Sequence, residues 1–154
     1  MPSIDETKLF LYRGVGLWTW DFLVYDVLED LIIFQQTLVP GAGRMALTPD
    51  GQKLFITNPG AGLNDPWVEP GFEIYNVNSN TVDTLIEDRE YFSVNNWFAH
   101  PNHIVVTPDG RWLVILGGSP FRFALIVYDI EKGELIFKKY IGHFVSDPST
   151  QLWE

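Results

Sequence analysis

The sequence predicts an all-β fold built from one repeated unit of antiparallel strands, and three observations predict it. The tetrapeptide Thr48-Pro49-Asp50-Gly51 recurs as Thr107-Pro108-Asp109-Gly110, each copy lying between two short apolar runs. A tyrosine-centred run recurs as Leu23-Val24-Tyr25-Asp26-Val27, Glu73-Ile74-Tyr75-Asn76-Val77 and Ile126-Val127-Tyr128-Asp129-Ile130. Thirteen Gly and ten Pro are spread through a chain whose aromatic fraction is 15%. That combination means many turns between strand-forming segments, and no long stretch shows helical periodicity.

Taken in order, the elements form a four-stranded meander with positions A to D. Strand A is Met45-Ala46-Leu47 in one copy and Ile104-Val105-Val106 in the next. The Thr-Pro-Asp-Gly turn follows. Its Pro fixes φ near −65° and its Gly supplies the left-handed residue that closes a short hairpin. The Asp is therefore a structural residue before it is anything else. Strand B spans Lys8 to Tyr12, Lys53 to Thr57 and Arg111 to Leu116, and strand C is the tyrosine run. A polar turn comes next (Leu28-Glu29-Asp30, Asn78-Ser79-Asn80, Glu131-Lys132-Gly133), and strand D spans Leu31 to Leu38, Thr81 to Ile86 and Glu134 to Ile141. The first copy has no strand A. Phe144 to Pro148, followed by Gln151-Leu152-Trp153, reads as an eroded A–turn–B start.

A chain of 154 residues suits a single domain with its own core. Its formal charge of −10 gives no footprint for nucleic-acid phosphates and is repelled by acidic membrane surfaces. There is no Cys, so neither disulfides nor thiolate metal sites support the fold. The segment Met1 to Thr7 lacks the pattern of a secretory signal, and no apolar run approaches a membrane span. A soluble, cytoplasmic protein is the expectation.

The run Ile104 to Val114 followed by Ile126 to Ile130 resembles a blade of the β-propeller superfamily, close to the YVTN and WD-type repeats. The resemblance covers nearly the whole chain and implies about three blades, the first without strand A. These are blade 1 at about 8–39, blade 2 at about 43–87, blade 3 at about 102–141, and a tail at 142–154. Rings of this kind close with about four to eight blades. Three blades leave open strand edges, so a homodimer closing a six-bladed ring is expected, ahead of a fragment or subunit of a larger propeller.

In such a blade the A–B and C–D turns share one end of the disc, and the B–C and D–A connections share the other. The first set is short throughout. The second set holds Arg13 to Asp21, Asn58 to Gly71, Gly117 to Phe123, Val39 to Arg44, Glu87 to His103 and Gly142 to Asp147. Binding residues are expected there, on loops carried by a rigid scaffold: Arg44, Asn64, Asp65, Trp67, Glu69, Trp97, His100, His103 and Arg122. The loop with Asn64, Asp65, Trp67 and Glu69 is either a proline-braced cover for a blade edge or a recognition loop. In the second case Trp67 is the anchor and the carboxylates face a cationic or hydroxylated group. The aromatic segment from Tyr91 to His103 forms either a small-molecule pocket or packing between blades.

His100-Pro101-Asn102-His103 with the distant His143 has no spacing that assures a common direction, so no metal is assigned, and no cofactor is expected. No nucleophile elbow or phosphate-cradling loop is present, and Gly41-Ala42-Gly43 and Gly117-Gly118-Ser119 read as turns. The function expected is an interaction module that binds a protein or small ligand through its loop-rich end. The alternatives are a hydrolase- or lactonase-like or cofactor-binding propeller with a site at the channel mouth, or a section of a larger ring.

Overall fold

The computed structural model of the chain describes residues 7–14, 20–38, 43–58, 71–87, 93–94, 97–98, 100–119 and 122–143. Among these residues there are strands and turns and no helix. Strands β1 (Lys8–Gly14), β2 (Trp20–Asp26) and β3 (Leu31–Leu38) form a three-stranded antiparallel sheet. Strands β4 (Met45–Leu47), β5 (Lys53–Asn58), β6 (Gly71–Asn76) and β7 (Thr81–Glu87) form a four-stranded one. Two short strands, β8 (Ser93–Val94) and β9 (Trp97–Phe98), pair with each other. Strands β10 (His100–Val106), β11 (Trp112–Ser119), β12 (Arg122–Asp129) and β13 (Glu134–His143) complete a second four-stranded sheet. Every sheet is a meander in chain order. The first has three strands where the other two have four, as the repeat predicts.

Local chemistry closes the turns identically in each copy. Gly51 and Gly110 have φ of 71° and 72°. Thr48 Oγ1 donates to Asp50 Oδ1 at 2.6 Å, and Asp50 Oδ1 also accepts from the Gln52 amide at 3.0 Å. Thr107, Asp109 and Arg111 repeat these bonds at 2.6 and 3.0 Å. The threonine hydroxyl holds both Asp carboxyls below the usual carboxylate range. At the C–D turns, Asp26, Asn76 and Asp129 each accept from the amides two and three residues on. The turns end on left-handed residues, Asp30, Asn80 and Gly133.

Each C–D ladder also carries a register shift just before its tyrosine, leaving Ile33, Asp83 and Ile136 as the extra residue on the outer strand. Such a bulge sharpens the local twist. All three sheets are thus bent at one equivalent point.

The sheets stack face to face through two apolar clusters. Phe10, Phe22 and Val24 of the first sheet pack against Leu54, Ile56, Tyr75 and Val77 of the second. The other face of the second sheet, with Ala46, Phe55, Phe72 and Ile74, packs against Leu113, Ile115, Ile126 and Tyr128 of the third. The middle sheet is therefore buried on both faces, and each outer sheet meets it with one.

Some boundaries differ from the sequence reading. The expected connection from Gly117 to Phe123 shrinks to residues 120–121, because Gly117 pairs with Ala124, Gly118 with Phe123 and Ser119 with Arg122. Glycine breaks strands through entropy, but ladder bonds need only backbone, and the long facing strand supplies them. Arg13 and Asp21 likewise belong to β1 and β2 rather than to a loop. Strand β13 continues through Gly142 and His143, and residues 144–154, including the eroded repeat, lie outside the described residues.

Candidate functional site

The two ends of the stacked sheets differ in chemistry. At the turn end, buried Thr48 and Asp129 are used in hairpin closure. At the opposite end, three buried polar residues, Asp21, Thr57 and Glu73, close no turn. Thr57 holds the start of β4, its Oγ1 accepting from the Arg44 amide at 2.6 Å.

Asp21, the second residue of β2, has its carboxylate covered by its own partners. Arg13 Nη2 donates to Oδ2 at 2.8 Å, Gln35 Nε2 donates to the same oxygen at 2.8 Å, and Thr37 Oγ1 donates to Oδ1 at 3.0 Å. The Arg13 bond, helped by those of Thr37 and Gln35, holds the carboxyl below its ordinary range. The three residues come from adjacent strands in register, Arg13 opposite Asp21 and Asp21 opposite Thr37.

Glu73 is 6% exposed and lies between the first two sheets. It accepts one long bond, from Gln36 Nε2 at 3.3 Å. Burial raises its carboxyl above the usual range, the Gln36 bond opposing. The Tyr12 hydroxyl is buried with no hydrogen-bond partner, and burial first and the charge of Glu73 second push it well above the ordinary phenol value. A phenol without a partner beside a carboxyl with one weak bond is costly, since each group has given up water without full replacement.

Glu73→Gln tests that cost. A carboxyl whose folded-state value is raised binds protons more tightly when folded, so stability falls as pH rises through the window above the ordinary value of 4.5. Glutamine removes that slope and keeps an acceptor for Gln36. The variant is expected to gain about 1 kcal/mol at pH 7, or roughly 2–4 °C in Tm. The gain should vanish below pH 4.5. A melting series across pH checks it, and a loss of stability at neutral pH would refute it.

Of the residues proposed from sequence, Arg44 and His103 are exposed and stand at this same end, next to β4 and within β10. The backbones of Trp97, His100 and Arg122 lie in β9, β10 and β12, in strands rather than loops. Asn64, Asp65, Trp67 and Glu69 lie outside the described residues, as do the side chains of Trp97, His100, Arg122 and His143. Among the described residues, no group of three or more His, Asp or Glu is placed to hold a metal ion. The sequence reading missed Tyr12, Asp21, Gln36 and Glu73. One signal was present: Glu73 occupies a strand position where the other two runs carry Leu23 and Ile126.

No protein-family model and no curated protein sequence matches the chain. Solved structures do. The chain superposes on a putative 6-phosphogluconolactonase from Bacteroides fragilis with a TM-score of 0.56 and 21% identity, covering 93% of this chain and 38% of that one. TolB from Acinetobacter baumannii gives 0.55 and 13%, covering 92% and 31%. The β-propeller domain of the Trilobed protease from Pyrococcus furiosus gives 0.54 and 12%, covering 88% and 39%. The meander sheets, their face-to-face stacking and these superpositions together define the fold as that of a β-propeller. The chain spans well under half the length of each of these proteins.

Proposed function

We propose that the chain is a propeller interaction module whose binding end is the one opposite the Thr-Pro-Asp-Gly turns. The observation that carries this reading is the asymmetry of the two ends. One end is closed in the three larger sheets by short turns whose Asp and Asn side chains accept from the turn amides, and the buried Asp129 Oδ2 there is left with an ion pair to Lys132 at 3.7 Å. The other bears the connections 15–19, 39–44, 59–70 and 88–99, and buries Glu73 and the Tyr12 hydroxyl at a cost that no turn or cap recovers. Stability given up at one end of a rigid scaffold is the usual signature of a site. With a net charge of −10, the chain favours a partner presenting basic groups. Trp67, Asp65 and Glu69 serve as contacts in this reading.

Panning the intact 154-residue chain against a displayed peptide library tests it. Basic peptides should be selected, and Trp67→Ala or His103→Ala should weaken their binding by roughly tenfold or more, while Arg44→Ala, which removes a like charge, should leave it unchanged or strengthen it. Gln52→Ala and Lys132→Ala at the turn end should leave it within about twofold. Peptides that lose binding through the turn-end variants would overturn the assignment. A second reading, a section of a larger propeller, has in its favour that the chain spans only 31–39% of the structures above.

A further inference from the structure

The repeat makes the outward faces of the first and third sheets comparable, position by position, with faces that are already packed. Leu54, Ile56, Tyr75 and Val77 of the second sheet are all buried against the first. Their equivalents in the first sheet are Leu9, Leu11, Tyr25 and Val27, of which Leu11 is 40% and Val27 44% exposed. The same comparison holds at the far side. Ala46 is buried against the third sheet, whereas its equivalent Val105 is 56% exposed, in a cross-strand row with Val114, Val127 and the 43% exposed Phe137. Each outer sheet thus repeats, on its open side, the apolar pattern of an interface the chain has already formed.

A polar contact has a counterpart at the two open sides. Across the first interface Lys8 Nζ donates to the Val77 carbonyl at 2.7 Å and to Asn80 Oδ1 at 3.3 Å. Asn80 Oδ1 also accepts from the Tyr75 hydroxyl at 2.9 Å. The residue equivalent to Lys8 in the third sheet is Trp112, whose ring carries the Arg111 guanidinium at 4.4 Å, and the residue equivalent to Asn80 in the first is Asp30. Asp30 is exposed and left-handed like Asn80, and its Oδ1 accepts from the Tyr25 hydroxyl just as Asn80 does from Tyr75. The cation thus sits at one open side and its acceptor, here a carboxylate, at the other.

From this complementarity we infer that a second copy of the chain docks head to tail. The open face of the third sheet of each copy covers the open face of the first sheet of the other, with Arg111 of one meeting Asp30 of the other. Two such contacts, related by a two-fold axis, give a closed ring of six sheets, within the range in which propellers close. The apolar rows supply the burial. The Arg111–Asp30 pair sets which face meets which. This docking is independent of what the loop-rich end binds.

Light scattering on the 154-residue chain at micromolar concentration should give twice the 17.6 kDa of one copy. Leu11→Asp should raise the dissociation constant by roughly 100-fold or more by placing a charge in a desolvated contact. Val105→Asp on the opposite face gives the same reading should Leu11→Asp prove misfolded by circular dichroism. Arg111→Glu should weaken the dimer about tenfold by facing Asp30. Adding Asp30→Asn, which keeps the turn as Asn80 does, should restore most of that loss. A monomer, a larger assembly, or a dimer indifferent to both Leu11→Asp and Val105→Asp would overturn the proposal. In the first case, further sheets on the same polypeptide become the occupant.

Discussion

Phe22→Ala is expected to lower stability by about 3–5 kcal/mol, the range for truncating a fully buried phenylalanine. Its ring lies 6.5 Å from Phe10 in a stacked arrangement, 5.3 Å from Tyr75 edge-on, and 6.2 and 5.9 Å from Tyr12 and Phe34. Each such pair contributes about 0.5–1.5 kcal/mol beyond simple burial. The position matters as much as the contacts. The first sheet has three strands, so its attachment to the second through Phe10, Phe22 and Val24 supplies much of what holds it. A Tm drop of roughly 10 °C should result. The urea transition should broaden or split if the first sheet detaches alone. Leu28→Ala, at a position 76% exposed in the neighbouring turn, should stay within about 0.5 kcal/mol. A loss below about 1 kcal/mol at Phe22 would mean the cavity collapses and that the aromatic cluster does not anchor the sheet.

What was legible in the sequence was whatever is encoded locally. Thr48 to Gly51 and Thr107 to Gly110 announce their hairpins because every bond that closes them joins residues within five positions of each other. The tyrosine runs announce strand C by repeating apolar, Tyr, Asp or Asn, apolar three times, and the missing fourth strand of the first sheet follows from counting repeats. The site was less legible because its members are brought together by stacking. Tyr12, Gln36 and Glu73 come from three strands of two sheets, and nothing near Tyr12 in the chain indicates that its hydroxyl will be buried without a partner. Asp21 is a similar case. Its neighbours Trp20 and Phe22 suggest only a strand start, while Gln35 and Thr37 reach it through the ladder.

Glycine gave the plainest misreading, at Gly117 and Gly118, which lie in a strand, and another glycine carries the second large prediction. Gly43 reads as a turn residue in Gly41-Ala42-Gly43, yet its role depends on residues remote in the chain. A Cβ built on it would lie 2.3 Å from the Thr57 carbonyl oxygen and 2.7 Å from the Tyr12 hydroxyl. The first neighbour is backbone and cannot turn aside. The Thr57 amide donates to the Arg44 carbonyl at 2.9 Å and the Arg44 amide donates to Thr57 Oγ1 at 2.6 Å, so the start of β4 is laced to β5 where the methyl would enter. Gly43→Ala must therefore pry β4 from β5 or displace the Tyr12 ring from the first interface. Both routes break buried contacts. The expected cost is about 2–4 kcal/mol, at the upper end for an overpacked site. Because β4 is only three residues long, the strain has little ladder to spread into. Amide exchange offers a specific readout: protection at Arg44 and Thr57 should fall further than at Gly110, whose hairpin has the same local chemistry as that of Gly51 but no strand pressed against a glycine. Uniform loss of protection would point to global destabilisation alone. An unchanged melting temperature would mean that β4 stands further from β5 than its hydrogen bonds require.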